Sequence, residues 1–180
     1  MKNNHLQGRL SFQMMSLEFR IRDLIRPPIA ILKEAGLRPG MTVLDFGCGP
    51  GGFSLAAARL VGPEGRVYAL DLHPLAIRSI ERAAAKKRVH NLIAVAGAPG
   101  RFADHCFDAV LLYDVLHDLP DPDAVLREMF RILKPAGFLS VRDHHLEAPK
   151  ILGIITVGGL FRPAERGRRT LQFQRHEARV

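Results

Sequence analysis

Two cysteines in 180 residues, Cys48 and Cys106, are too few and too widely spaced for a disulfide framework or a zinc cluster. Each reads as a small packing residue rather than a nucleophile, Cys48 inside a glycine loop and Cys106 beside Phe107. No apolar run reaches the roughly 20 residues that a membrane helix needs. Residues 151–160 are apolar but short, and Gly153, Gly158 and Gly159 punctuate them. The first nine residues are polar and hold no signal-peptide hydrophobic region, so a cytoplasmic protein without a membrane span is expected. Repeats, low-complexity stretches and a separate second domain are also missing.

Acidic charge is scarce at both ends of the chain. The net charge is +8; residues 1–40 carry seven Lys/Arg against three acids, and residues 162–180 carry six against two. The stretch between them balances at thirteen each. Such a collar can attract an anionic substrate or nucleic acid, or it can be a solvated arginine-rich surface. No aromatic interleaving or RNA-binding module accompanies the charge, so nucleic acid is not the favoured partner. An apolar content of 47% argues for a folded chain rather than a disordered one, and 180 residues suffice for one sizeable core.

What the chain does have is alternation. Helices are expected over 17–25 and 29–35, the second with proline in its first turn and Gly36 as its stop. Strands are expected over 41–46, 67–71, 92–96, 107–113 and 137–142, with helices over 52–60, 74–87 and 122–133 between them. These strands are near-continuous apolar runs, as parallel strands buried on both faces require. The pattern predicts an α/β, doubly wound sheet with right-handed crossovers. A helix over 148–157 and two strands over 160–163 and 170–175, turning at Glu165-Arg166-Gly167, close the chain. Residues 1–36 form an N-terminal helical segment in this reading, and 37–180 the main domain of a single globular unit.

The chemistry starts at Asp45-Phe46-Gly47-Cys48-Gly49-Pro50-Gly51-Gly52, where an apolar strand passes through a glycine-rich turn into a helix. Glycines there let the backbone approach a ligand that side chains would displace. Asp71 ends the next strand and can accept both hydroxyls of a ribose. The pair points to an adenosine-type cofactor. Gly47, Gly49 and Gly52 satisfy the dinucleotide spacing G-x-G-x-x-G, so a nicotinamide-dependent oxidoreductase is one reading. Asp45 weighs against it, because a carboxylate two residues before the first glycine repels a pyrophosphate and welcomes a cationic amino-acid end.

D-x-G-x-G-x-G is the glycine motif of the class I S-adenosylmethionine-dependent methyltransferases, and residues 45–51 fit it without a gap. Arg66-Val67-Tyr68-Ala69-Leu70-Asp71 resembles that family's second strand, Phe107-Asp108-Ala109-Val110-Leu111-Leu112 its fourth, and Val115-Leu116-His117-Asp118-Leu119 the segment that follows. Leu126-Arg127-Glu128-Met129-Phe130-Arg131-Ile132-Leu133-Lys134-Pro135 resembles the helix and turn before the fifth. Over residues 37–145 the chain is similar to small-molecule methyltransferases of the ubiquinone/menaquinone-biosynthesis type. The resemblance implies a Rossmann-like, mostly parallel seven-stranded sheet with helices on both faces and a C-terminal β-hairpin. It also implies S-adenosylmethionine as cofactor, S-adenosylhomocysteine as product and a small-molecule acceptor.

By resemblance, Asp45, Gly47, Cys48, Gly49 and Gly51 pass under the methionine end and ribose, and Asp71 takes the ribose hydroxyls. Leu72 and Ala98 flank the adenine, and Asp114 or its backbone reaches the amino group. Two departures stand out. Gly97-Ala98-Pro99 replaces the usual Gly-Asp-Ala, removing a carboxylate that meets the adenine amine, and Lys134-Pro135-Ala136-Gly137 replaces Lys-Pro-Gly-Gly. The first leaves a catalytically silent binding protein of the same fold as a rival. Nucleic-acid methylation is disfavoured further, since no Asn/Asp-Pro-Pro-aromatic motif occurs. His117 is the candidate proton acceptor, with His144 and His145 on the same rim, because a histidine titrates near neutrality. No metal is expected. Phe12, Met14, Met15, Leu17 and Phe19 offer an apolar cover for acceptor recognition, a lid that orders over bound cofactor, or else they pack on the sheet edge.

Overall fold

The structure is a computed structural model that describes residues 28–176. The helix expected over 17–25 and the lid residues Phe12 to Phe19 lie outside the described residues. The elements run α1 (Pro28–Glu34), β1 (Thr42–Phe46), α2 (Gly52–Val61), β2 (Arg66–Asp71), α3 (Pro74–Lys86), β3 (Leu92–Ala96), β4 (Phe107–Tyr113), α4 (Pro122–Ile132), β5 (Leu133–Arg142), α5 (Ala148–Thr156), β6 (Phe161–Arg166) and β7 (Leu171–Arg175). Single 3-10 turns at Pro99–Arg101 and Leu116–Asp118 follow β3 and β4.

The strands form one seven-stranded sheet in the order β3-β2-β1-β4-β5-β7-β6. β1 to β5 are mutually parallel, and β7 runs antiparallel to both β5 and β6. Alternate residues of a strand point to opposite faces, so each apolar run feeds two cores. Leu44, Val110 and Leu112 pack with Met129, Ile132, Ile151 and Ile155 on the α4/α5 face. Val43, Ala109 and Leu111 pack with Ile31, Leu32, Phe53 and Ala57 on the α1/α2 face.

Helix starts follow from local chemistry. Asp121 accepts a bond from the Ala124 amide at 2.9 Å, with Pro122 in the first turn of α4. His73 does the same for α3, its Nδ1 accepting from the Leu75 amide at 3.1 Å. The buried residues of α3, Ala76, Ile80 and Ala84, recur every four positions, one face against the sheet.

Two boundaries differ from expectation by three residues or more. β5 begins at Leu133 rather than at 137, because Leu133 already pairs with Phe107 before the register shifts and Phe138 pairs with Ala109. In that shift a Cβ on Gly137 would come 3.0 Å from the Lys134 and Phe107 carbonyl oxygens, while Ala136 is exposed. The second glycine of the usual Lys-Pro-Gly-Gly is therefore the needed one, and alanine is harmless at the first. β6 extends to Arg166, and the turn closes later, with the Gly167 amide bonded to the Thr170 carbonyl at 2.9 Å. No helix among the described residues is long and apolar enough to cross a membrane.

Parallel register aligns the carboxyl ends of the strands. Phe46 lies beside Leu70 and Leu112, Asp71 beside Ala96, and Tyr113 beside Arg142. Strand order reverses between β1 and β4, the point at which open α/β sheets form a crevice.

Candidate active site

The loop after β1 is tied to the end of β2. The Gly47 and Cys48 amides both donate to the Leu70 carbonyl, at 2.9 and 3.1 Å, and the Gly49 amide donates to Asp71 Oδ2 at 2.9 Å. Gly51 has φ +89°, and a Cβ there would stand 2.5 Å from Ile80 Cγ1, so the loop can sit this close to α3 only with glycine. Gly49 is different: at φ +51° its Cβ direction meets nothing within 4 Å. The backbone at Gly49 faces open space.

Asp45 lies beneath this loop and is 2% exposed. Its Oδ2 accepts from Ser54 Oγ at 2.5 Å, which sets a carboxylate against the first turn of α2. Burial pushes the Asp45 carboxyl from 3.8 up to about 7; bonds from Ser54 pull it back, and nearby Asp71 pushes it further. Cys48 packs between Ala69 and Ile80, and burial, helped by Asp45 and Asp71, pushes its thiol up so that it stays protonated.

Asp71 faces the crevice. Its Oδ1 accepts from the His73 amide at 2.8 Å and its Oδ2 from Gly49, while its carbonyl accepts from the Gly97 amide at 3.0 Å. An ionised carboxylate has about four lone-pair sites, so about two stay available. Next to it Leu72 is 73% exposed, and Ala98, across on the β3 loop, is exposed as well.

The ends of β4 and β5 carry a second group. Asp114 adopts φ +56° with its side chain nearly buried. Its Oδ1 accepts from the His144 amide at 3.2 Å and lies 3.0 Å from His144 Nδ1 and 3.8 Å from Arg142 Nε. His117 Nδ1 lies 2.8 Å from Asp143 Oδ2, which also accepts from the His117 amide at 3.1 Å. Asp143 Oδ1 takes the His145 amide at 2.9 Å. Burial works to raise the Asp143 carboxyl, but the bonds from the His117 ring and the His145 and His117 amides outweigh it and hold the carboxyl below its ordinary value. An ionised Asp143 can only accept, so Nδ1 of His117 carries a proton toward it, and Nε2 lies 3.4 Å from Asp118 Oδ2 at the exposed side of the ring. The His145 ring packs against both neighbours, 4.2 Å from the His117 ring and 3.9 Å from that of His144. Among the described residues no group of three or more His, Cys, Asp or Glu side chains is arranged to hold a metal ion.

Residues 37–157 match a family model described as "Methyltransferase domain". The chain belongs to this family. A solved SAM-dependent methyltransferase from Aquifex aeolicus is 25% identical, with a TM-score of 0.72 over 82% of this chain and 87% of that one. A structure from Methanococcus maripaludis superimposes at TM-score 0.81 over 100% of this chain and 99% of its own, at 15% identity, which speaks for the fold alone. Among curated proteins, the demethylmenaquinone methyltransferase of Geobacillus stearothermophilus is 33% identical over 59% of this chain and 47% of its own length. That of Listeria monocytogenes is 34% identical over 62% and 48% respectively. The chain thus spans about half the length of the curated relatives it matches.

The residues present fit the cofactor of class I methyltransferases. Gly49 leaves a cradle that a Cβ would enter, Asp71 keeps acceptor capacity beside it, and Leu72 offers an apolar surface to solvent. Of the residues expected at the cofactor, the structure brings Gly47, Gly49, Gly51, Asp71, Leu72 and Ala98 around this one crevice. Asp45 stands behind the loop, Cys48 belongs to the loop but packs its side chain against Ala69 and Ile80, and Asp45 is only partly ionised near neutrality. The repulsion argument drawn from its charge therefore loses force; family and fold carry the distinction from a nicotinamide enzyme instead. Asp114 is engaged by His144 and Arg142 at the β4/β5 rim. The sequence reading missed Asp143. The signal was present, an acid directly before two histidines already singled out, but its partner His117 lies 26 positions earlier.

Proposed function

We propose that this methyltransferase-family chain transfers a methyl group from S-adenosylmethionine to a small-molecule acceptor, with His117 receiving the acceptor's proton. The observation that carries the reading is Asp71, held by two backbone amides beside the open backbone of Gly49. When bound, the cofactor supplies an electrophilic methyl group on a sulfonium sulfur. Asp71 would accept the ribose hydroxyls through its remaining lone pairs, and Leu72 and Ala98 would border the adenine. The glycine loop would let the amino-acid end approach the backbone closely, with Asp45 bracing the loop from behind through Ser54. His117 would take the proton at Nε2 while Asp143 keeps the ring in that tautomer. Positioning and desolvation supply the remainder of the rate. The relatives named for demethylmenaquinone support a small molecule rather than a nucleic acid as acceptor. Ala98, which brings no carboxylate to the adenine edge, favours a silent binding protein as the second reading.

Titration calorimetry with S-adenosylmethionine, S-adenosylhomocysteine and NAD tests the assignment. Both adenosyl ligands should bind and NAD should not. Asp71→Ala should weaken binding roughly tenfold to hundredfold for each charged hydrogen bond lost. Binding of NAD alone would overturn the reading.

A further inference from the structure

Past Asp143, the C-terminal end of β5 and the N-terminal end of β7 border a cavity of about 710 Å³, also lined by residues of α1, α5 and the hairpin turn. That volume falls within the few hundred to about 1,000 Å³ of small-molecule sites. Leu146 and Ile151 give it an apolar floor, whereas Arg142, Arg168, Arg169 and His144 give it a basic wall. Asp143 is the one acid in that lining, and both of its oxygens are already taken by His117 and the His145 amide. The acids that neutralise two of the arginines are not part of the lining. Asp114 lies 3.8 Å from Arg142 Nε, and Glu34 lies 3.9 Å from Arg169 Nε. They hold these guanidiniums in place from outside the cavity. Arg168 is exposed, and no ion pair among the described residues reaches it.

We propose that this cavity receives the methyl acceptor and that the acceptor is an anion, a small molecule with an apolar body and a carboxylate or phosphate group. Guanidinium forks match the geometry of both oxyanions, and a wall in which three arginines outnumber one acid concentrates such ligands. The placement suits the chemistry, because Asp143 and His144 are shared between the cavity wall and the histidine cluster. An acceptor anchored on the hairpin arginines would turn its other end toward His117. The basic excess of residues 162–180 thereby acquires a role, since Arg168 and Arg169 belong to it. This inference rests on the methyl-transfer reading of the neighbouring crevice.

The test titrates the full chain, with and without S-adenosylhomocysteine, with benzoate, phenyl phosphate and neutral benzyl alcohol, following backbone amide shifts by NMR. Benzoate or phenyl phosphate should move the amides of Arg168, Arg169, Thr170 and Ile151, and benzyl alcohol should not. Which of the two binds more tightly names the oxyanion. Arg168→Gln should weaken anion binding about tenfold or more, the cost of one charge-assisted bond. Its affinity for S-adenosylhomocysteine, measured in the same samples, should stay unchanged and certify the fold. Equal binding of the neutral probe, no shifts at these amides, or an undiminished affinity in Arg168→Gln would overturn the proposal. Failure of S-adenosylhomocysteine to bind would instead count against the methyl-transfer reading, with the anion titration still read on the free chain.

Discussion

Asp45 is 2% exposed, and burial holds its carboxyl protonated up to about pH 7. The sign of the consequence follows from linkage. Below the ordinary value of 3.8 the group is neutral in both folded and unfolded chains and contributes no pH dependence. Between 3.8 and about 7 the unfolded chain has released the proton while the folded one retains it, so stability falls as pH rises and levels off above about 7. Asparagine cannot titrate. Urea unfolding at a series of pH values should show wild type losing stability relative to Asp45→Asn between pH 4 and 7, by a few kcal/mol. Parallel pH profiles for the two proteins would show that Asp45 is not buried in this way. The residue also marks what sequence conceals. Its place in D-x-G-x-G-x-G was legible, but its protonation was not, because that depends on Ser54 and on the two layers that cover it. Asp143 was missed for a similar reason: nothing local to Arg142-Asp143-His144 announces a bond to His117.

Among the elements, the strands were legible because each buried parallel strand must be apolar on both faces, which leaves a run that no other element needs. The boundaries that moved are those fixed by distant partners. The turn between β6 and β7 is set by Glu34 at the end of α1, whose Oε1 accepts from the Arg169 amide at 2.6 Å and the Thr170 amide at 3.2 Å. A side chain on Gly167 would collide with that same carboxylate, which explains the glycine. Neither fact is visible in the window around 165–170, since the deciding residue lies 135 positions earlier. Glu34→Ala leaves two amides without their acceptor and should cost about 1–3 kcal/mol of stability. Hydrogen exchange at the Arg169 and Thr170 amides should accelerate selectively, and Glu34→Gln, which keeps the oxygen, should recover most of the protection. If Glu34→Ala exchanges like wild type there, the hairpin turn is held by β7 alone.

Across the whole molecule, the crevice exists only because β1, β2, β3 and β4 end at one level, and no single segment carries it. The glycine loop comes from the β1 end, Asp71 and Leu72 from β2, and Ala98 from β3, while the histidine rim comes from β4 and β5. A ligand bridging these ends binds the folded chain and has no counterpart in the unfolded one, so its binding energy is added to global stability. At a free concentration about 100 times Kd, that increment is about 2.7 kcal/mol. For a chain of this size each kcal/mol raises the midpoint by about 2–4 °C, so S-adenosylhomocysteine should lift Tm by roughly 5–10 °C. Differential scanning fluorimetry reads this without any knowledge of the acceptor. Asp71→Ala should lose most of the shift at the same ligand concentration, since its weaker affinity lowers the saturation ratio. Arg168→Gln, at the far side of the histidine cluster, should keep it. An equal shift in Asp71→Ala would mean that the ligand stabilises the chain from somewhere other than the glycine crevice.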